Sequence, residues 1–429
     1  MNVSIVIPVY NKWELTRNCL KSLAKTTDPA ATEVIVVDNA SSDPTPRAAP
    51  FLGRQLFGDS FVFIRNEINR NFAGASNQGA LQARGDWLVF LNNDTIPLSG
   101  WLRQLLDDFG NFSGIGATGP LLLYDKTFPF GHTVQHLGVD VNPIKIVEHL
   151  YRGISGKSKL ATKRRFFQII TAACMCMPKR LFLETGSFDE NFINGFEDVD
   201  LCARLVRADW RQTINPKARV IHLESQSAGR HAHTAGNLER YRSGTANYLK
   251  PDIRDILKAD NLELEVSRWL NWQIKIPDAE LTELTLQSNA IQEDGLLKIL
   301  TDYPYWEAGW KKLLDFQQDT QMRLDLRKKA IQFFPSPELM LENAEDALKN
   351  GNFKVAYESL QSARPFFIKP EDYLKSACFM KKKFYEDQDF EMAKRFSDWE
   401  KTYDNFAQNI YLPLQDRMKR LEAVIGKSK

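Results

Sequence analysis

Short apolar runs and helical periodicities alternate through the first half of the chain. Val3-Ser-Ile-Val-Ile-Pro-Val9 and Glu33-Val-Ile-Val-Val-Asp38 are compact β-branched runs, of the kind parallel strands show when helices cover both faces. Ser60-Phe-Val-Phe-Ile-Arg65 and Trp87-Leu-Val-Phe-Leu91 repeat the pattern. Between the first two runs, Leu15, Cys19 and Leu23 recur at i, i+4 and i+8, which predicts a crossover helix with Asn11 as its N-cap. A second helix is expected over Ala75 to Arg84, stopped by Gly85-Asp86, and a later one over Asp200 to Ala208. A strand over Ala218 to Ile221 leads into His222. Strand, helix, strand, strand, helix, strand is the order of a doubly wound α/β sheet.

From about residue 278 the strand pattern stops and helix formers dominate. Pro304, Pro335 and Pro365 lie 31 and 30 residues apart, and Gly351-x-Phe353-x-x-Ala356-x-x-x-Leu360-x-x-Ala363 precedes the last of them. The spacing resembles tetratricopeptide-type helical hairpins, shorter than their usual ~34 residues; an ordinary helical bundle is the alternative. The expected organisation is an α/β domain over 1–230, a helical connector over 231–277 and a helical domain over 278–429.

Composition narrows the classes. The 429 residues carry 56 Lys plus Arg against 54 Asp plus Glu, a net charge of +2, which argues against nucleic-acid binding through a whole-chain positive field. With 43% hydrophobic and 26% charged residues the chain is globular rather than disordered. Five cysteines without a C-x-x-C weigh against a disulfide framework or structural zinc. The apolar stretch Phe166 to Met177 is shorter than a membrane span, and a strand starting at Val3 leaves no room for a signal peptide. A cytoplasmic location is expected, at most in peripheral contact with a membrane through the basic run Lys157 to Arg165. A solvated loop is the other reading of that run.

In open α/β sheets, ligands sit beyond the carboxyl ends of the strands. Three polar clusters follow strands here: Pro8-Val9-Tyr10-Asn11, Asp38-Asn-Ala-Ser-Ser-Asp43 and Asn92-Asn93-Asp94-Thr95. Neither a P-loop nor a G-x-G-x-x-G after the first strand is present, so an NTPase or a dinucleotide oxidoreductase is not supported.

Together with Asn69-Arg-Asn-Phe-Ala-Gly-Ala-Ser-Asn77-Gln-Gly79, Gly186-Ser-Phe-Asp-Glu190, Gly195-Phe-Glu-Asp198-Val-Asp200 and Val-Ile-His222, these clusters resemble the inverting family 2 glycosyltransferases of the GT-A fold, rhamnosyltransferase-type members above all. The resemblance covers roughly residues 1–230. It implies that Asp38 accepts from the base of a uridine or thymidine diphosphate sugar, with Pro8, Val9, Tyr10 and Asn11 lining the nucleoside pocket. Asn71 and Asn77 would position the donor, with Gly74 and Gly79 allowing close backbone approach. Asn92-Asn93-Asp94 stands in the place of the family's D-x-D, so Asn92 and Asn93 face the nucleotide sugar while Asp94, with His222, holds Mn²⁺ or Mg²⁺. The two asparagines depart from the family pattern. Asp198, seconded by Glu197, takes the place of the catalytic base, while Arg230, His231 and His233 could contact the diphosphate. From the architecture, stacked helical hairpins offer a concave surface suited to peptides or partner proteins, so the expected acceptor is a protein, such as a bacterial surface or flagellar protein. The alternative is a lipopolysaccharide or capsule glycan, with the helical domain serving for partner docking. A non-catalytic repeat protein with a relic transferase domain, and nucleotidyl transfer, stay open as alternatives.

Overall fold

The computed structural model describes residues 2–127, 129–223, 233–288 and 291–426. The chain forms two compact units, Met1–Ile253 and Arg254–Lys429.

The first unit is built on a mixed sheet of ten strands. Its strands are β1 (Val3–Val9), β2 (Thr32–Asp38), β3 (Phe61–Arg65), β4 (Trp87–Leu91), β5 (Thr95–Pro97), β6 (Ile115–Thr127) and β7 (Gly131–His136). A separate two-stranded hairpin, β8 (Val139–Val141) and β9 (Val147–His149), follows, and β10 (Arg165–Phe167), β11 (Cys174–Pro178) and β12 (Arg211–His222) complete the sheet. The main order is β10-β12-β6-β11-β4-β1-β2-β3, with β5 on β12 and β7 on β6. Strands β4, β1, β2 and β3 are parallel. The side chains of β1, β2 and β4 are almost wholly buried, as continuous apolar runs require when both faces are covered, while those of the edge strand β3 are mostly half-buried.

Three connections decide where polar groups gather. β11 runs antiparallel to β4 with Cys174 opposite Leu91, so it starts where β4 ends and brings residues 171–173 to that edge. The Asn92 N–H donates to the Ala173 carbonyl there at 2.9 Å. β12 pairs antiparallel with β5, His222 opposite Thr95, which delivers His222 to the same edge. The doubly wound expectation therefore holds, and the mixed sheet with flanking helices is the GT-A fold.

Local differences from the sequence reading have physical causes. The first helix, Trp13–Thr26, has Lys12 in the left-handed region as its N-cap, because Asn11 is spent elsewhere: its Oδ1 accepts from the Ser42 and Asp43 N–H groups. A helix over Thr45–Phe57 stands between β2 and β3, where the order expected from the sequence has none. Pro46 lies in the first turn, where no N–H partner is needed, while Pro50 falls inside. The next helix starts at Asn71 rather than Ala75. Gly79 serves its packing rather than a ligand: a Cβ there would lie 2.3 Å from Val6 Cγ1 on β1. The basic run is neither a free loop nor a uniformly exposed patch, since Arg164 pairs with the buried Asp108 at 3.1 Å and Arg165 is itself buried.

In the second unit a short helix, Ile253–Ala259, is followed by a hairpin, β13 (Glu263–Val266) paired with β14 (Trp272–Lys275), inside the stretch expected to be a helical connector. Leu264 is buried and its neighbours Glu263 and Glu265 are more exposed, a period of two that the tryptophans mask in the sequence. The rest of the unit is helical. Pro337–Lys349 and Phe353–Ala363, joined by a three-residue turn, bury Leu341, Ala344, Ala347, Ala356, Leu360 and Ala363 in a common core. Pro304, Pro335 and Pro365 each fall just past the end of a helix. Among the described residues no helix is long and apolar enough to cross a membrane.

Candidate active site

A cleft of about 700 Å³ opens at the carboxyl edge of the parallel strands. Asp94 and Asp198, 104 positions apart in sequence, both line it. So do Pro8, Val9 and Tyr10, then Asn71, Asn92 and Asn93, with Glu197 and His222.

Asp94 follows β4 and is buried. Its Oδ1 lies 3.2 Å from His222 Nε2 and makes no hydrogen bond. His222 is equally buried, and its Nδ1 is 3.2 Å from Gln135 Oε1 on β7. An amide oxygen only accepts, so Nδ1 carries a proton; in the neutral ring Nε2 then turns its lone pair toward Asp94. Two acceptor atoms thus face each other in a buried position, an arrangement that a positive ion between or beside them relieves. Neighbouring ligands of a divalent cation with bonds of about 2.1 Å lie roughly 3 Å apart, so the pair fits such an ion. Among the described residues no cluster of three or more His, Cys, Asp or Glu side chains is placed to hold a metal alone. Asn92 Nδ2 sits 3.4 Å from His222 Nε2, and Asn93 is pinned through its Nδ2 to Thr16 Oγ1 at 3.0 Å.

Asp198 stands in the first turn of the helix Glu197–Arg207, whose N-terminus favours the three acidic residues there. The chain enters this helix through Asn194, Gly195 and Phe196, all at positive φ. Glu197 turns back to accept from the Gly195 N–H at 2.6 Å, stabilising that entry. Asp198 Oδ2 accepts from the Ala172 N–H at 3.0 Å, which fastens the carboxylate to the segment leading into β11. Asp200 points away from the cleft: it holds Arg204 at 2.8 Å, and Arg204 donates to the Thr185 and Ser187 carbonyls. Replacing Arg204 with Met strands a nearly buried carboxylate and two carbonyls. We expect it to cost about 3 kcal/mol of stability, measured by urea denaturation.

Several expected donor residues do not line the cleft. Asp38 is fully buried; its Oδ1 accepts from the Ser41 N–H and its Oδ2 from Arg65, so it braces its own loop. Within that loop it is Asn39 that reaches the cleft. Asn11 ties the same loop down, as described above. Asn77 clasps the loop after the 179–184 helix, donating to the Phe188 carbonyl at 2.9 Å and accepting from its N–H at 3.1 Å. A Cβ on Gly74 would meet Arg70 and Glu190, and Arg70 is paired with Glu190 rather than turned to a ligand. His233 is exposed and lines the cleft; Arg230 and His231 lie outside the described residues.

Residues the sequence reading missed include Gln135, Thr171 and the wall formed by Val139, Val147, Glu148 and His149. The available signal was a run of polar side chains, Thr133, Gln135 and His136, within an otherwise strand-like segment. All three are buried.

Residues 4–177 match the family model described as Glycosyl transferase family 2. The first unit carries a glycosyl transferase family 2 domain. RfbC of Myxococcus xanthus, an O-antigen biosynthesis protein, is 32% identical over 232 residues, 52% of this chain and 17% of that one. The N-acetylglucosaminyl-diphospho-decaprenol L-rhamnosyltransferase of Mycobacterium tuberculosis is 26% identical over 265 residues, 57% of this chain and 83% of that one. A solved structure of GalNAc-T7 with UDP, GalNAc and Mn²⁺ is similar at a TM-score of 0.45 and 16% identity, over 61% of this chain and 55% of that one. The chain spans less than half the length of the first curated relatives it matches, among them 29% of the y4gI protein of Sinorhizobium fredii. The family 2 domain contains Asp94; Asp198 and His222 come from the sequence just beyond the matched residues.

Proposed function

We propose that the cleft transfers a sugar from a uridine or thymidine diphosphate sugar to a hydroxyl acceptor, with inversion at the anomeric carbon. The observation that carries this reading is that Asp94 and Asp198 open onto one cavity. Pro8, Val9, Tyr10 and Asn39 form the nucleoside end, and the bracing of their loop by Asp38 and Asn11 keeps that end in shape. Asp94 and His222 would hold the cation. When bound there, a divalent ion would supply positive charge against the diphosphate leaving group, and the mixed carboxylate and imidazole set suits manganese. Asn92 and Asn93 orient the donor.

Asp198 is the base. Its Oδ2 is held by one backbone N–H and retains a lone pair, so the carboxylate has a fixed direction and room to accept the acceptor's proton. Glu197 is engaged with the turn at Gly195, which makes it a positioning residue for Asp198 rather than a second base. Thermal shift with a panel of nucleotide diphosphate sugars and Mn²⁺ tests the donor half: uridine or thymidine compounds should raise Tm, guanosine and cytidine compounds should not. No response to any member of the panel would refute the reading.

Gln135 fixes the ring of His222, and such outer partners of metal-binding histidines typically contribute 10- to 100-fold in affinity. Gln135→Leu is accordingly expected to weaken Mn²⁺-dependent UDP binding by about tenfold or more, measured by calorimetry.

For the acceptor, a growing envelope glycan is the first choice, because two similar proteins are named for O-antigen biosynthesis and for rhamnosyl transfer to a lipid-linked sugar. A protein acceptor is the second, resting on the tetratricopeptide-like helical hairpins of the other unit, whose stacked faces suit peptides or partner proteins.

A further inference from the structure

The helix Thr234–Ser243 has no task in the mechanism so far, and the way it docks points to one. Its buried residues are Asn237 and Tyr241, while Leu238 stays half-buried and the others are exposed. A helix held by the hydrophobic effect would bury the leucine and expose the asparagine. Directional bonds hold this one. Asn237 Nδ2 donates to the Ile193 carbonyl at 3.0 Å and to the Gly195 carbonyl at 2.9 Å, and its Oδ1 accepts from the Ile193 N–H at 3.2 Å. Both donors and the oxygen of one buried amide are thus committed to the backbone of a single turn. Tyr241, one helical turn on, packs its ring against Phe196 with centroids 5.5 Å apart.

That turn is the entry to the helix bearing Asp198. Asn194 and Phe196 stand at φ 50° and 70°, conformations that residues with a Cβ keep only where the surroundings over-determine them. The Phe72 N–H fixes Asn194 from one side, donating to its Oδ1 at 3.1 Å. Asn237 fixes the residues before and after Asn194 from the other. Phe196 is the N-cap of Glu197–Arg207, so its backbone sets the direction in which that helix leaves the turn. Asp198 meets the Ala172 N–H along that direction. Ile193, Gly195, Phe196 and Asp198 all line the cleft. A shift of a reacting group by about 1 Å can cost on the order of 10²-fold in rate, so the hold on this turn bears on turnover.

Resting on the transferase reading of the cleft, we propose that the helix Thr234–Ser243 is the brace of the base, with Asn237 a positioning residue that acts through Asp198. The test uses the full chain and the sugar donor selected by the thermal-shift panel, with release of the nucleoside diphosphate as the rate. Asn237→Ala removes all three bonds, and Asn237→Asp keeps the acceptor for the Ile193 N–H but sets an oxygen against two carbonyls. Each should lower kcat about tenfold or more, while donor KM and calorimetric affinity for UDP with Mn²⁺ stay within about twofold. In an Asp198→Asn background the same changes should cost less than about twofold, because no base is left to misplace. Unaltered kcat, an undiminished loss in that background, or UDP affinity falling in step with kcat in both variants would each overturn the brace and leave the transferase reading in place. The last of these outcomes would make Asn237 a residue of the fold alone. Wild-type protein that fails to bind UDP with Mn²⁺ would instead remove that reading, and the brace with it.

Discussion

Asp198→Asn is expected to lower kcat by about 10²- to 10⁴-fold while nucleotide binding survives. The substitution is nearly isosteric. Its amide oxygen can still accept from the Ala172 N–H, so the helix start and the segment before β11 keep their attachment. What disappears is the basic lone pair toward the acceptor, and with it the route for the hydroxyl proton as the new glycosidic bond forms. Initial-rate kinetics with the donor found in the thermal-shift panel, beside calorimetry with UDP and Mn²⁺, separate the two effects. Turnover within a few-fold of wild type would show that the proton leaves by another path.

The second large effect belongs to Asp94→Ala. The change deletes an anionic oxygen that lies 3.2 Å from His222 Nε2 and lacks any hydrogen bond, so no internal polar partner is orphaned by its loss. Stability should therefore change little or rise, while Mn²⁺-dependent UDP affinity falls by about 100-fold or more, beyond the effect expected for the outer residue Gln135. The sign pattern is the informative part: a residue serving only the fold would lose stability and ligand affinity together. Calorimetric titration of UDP with Mn²⁺ and with chelator, next to thermal unfolding of both proteins, reads it out.

The strands that build the donor half were legible in the sequence because parallel strands covered on both faces leave uninterrupted Val/Ile runs, as in β1 and β2. The meeting of Asp94 and Asp198 was legible because both lie in motifs whose order resembles that of family 2 glycosyltransferases. The role of Asp38 was not. A carboxylate after a strand looks the same in sequence whether it faces a ligand or its own loop, and the pairing with Arg65, 27 residues on, is visible only in the fold. The cleft wall around β7 and β9 was hidden for a related reason. Gln135, His136 and His149 lie on short strands with little periodicity, and each gains meaning only from a partner 13 to 87 positions away. The helix Thr45–Phe57 was missing from the expected order, and its prolines suit a first turn as well as they suit a loop.

Strand β7 supplies consecutive side chains to the two halves of the cleft, Gln135 to the imidazole beside Asp94 and His136 to the segment beside Asp198. Sliding this strand by one position along β6 would misplace both at once. The surroundings of Asp94 and of Asp198 are therefore mechanically tied, and under the proposed transfer evolution cannot retune the one by shifting this ribbon without disturbing the other.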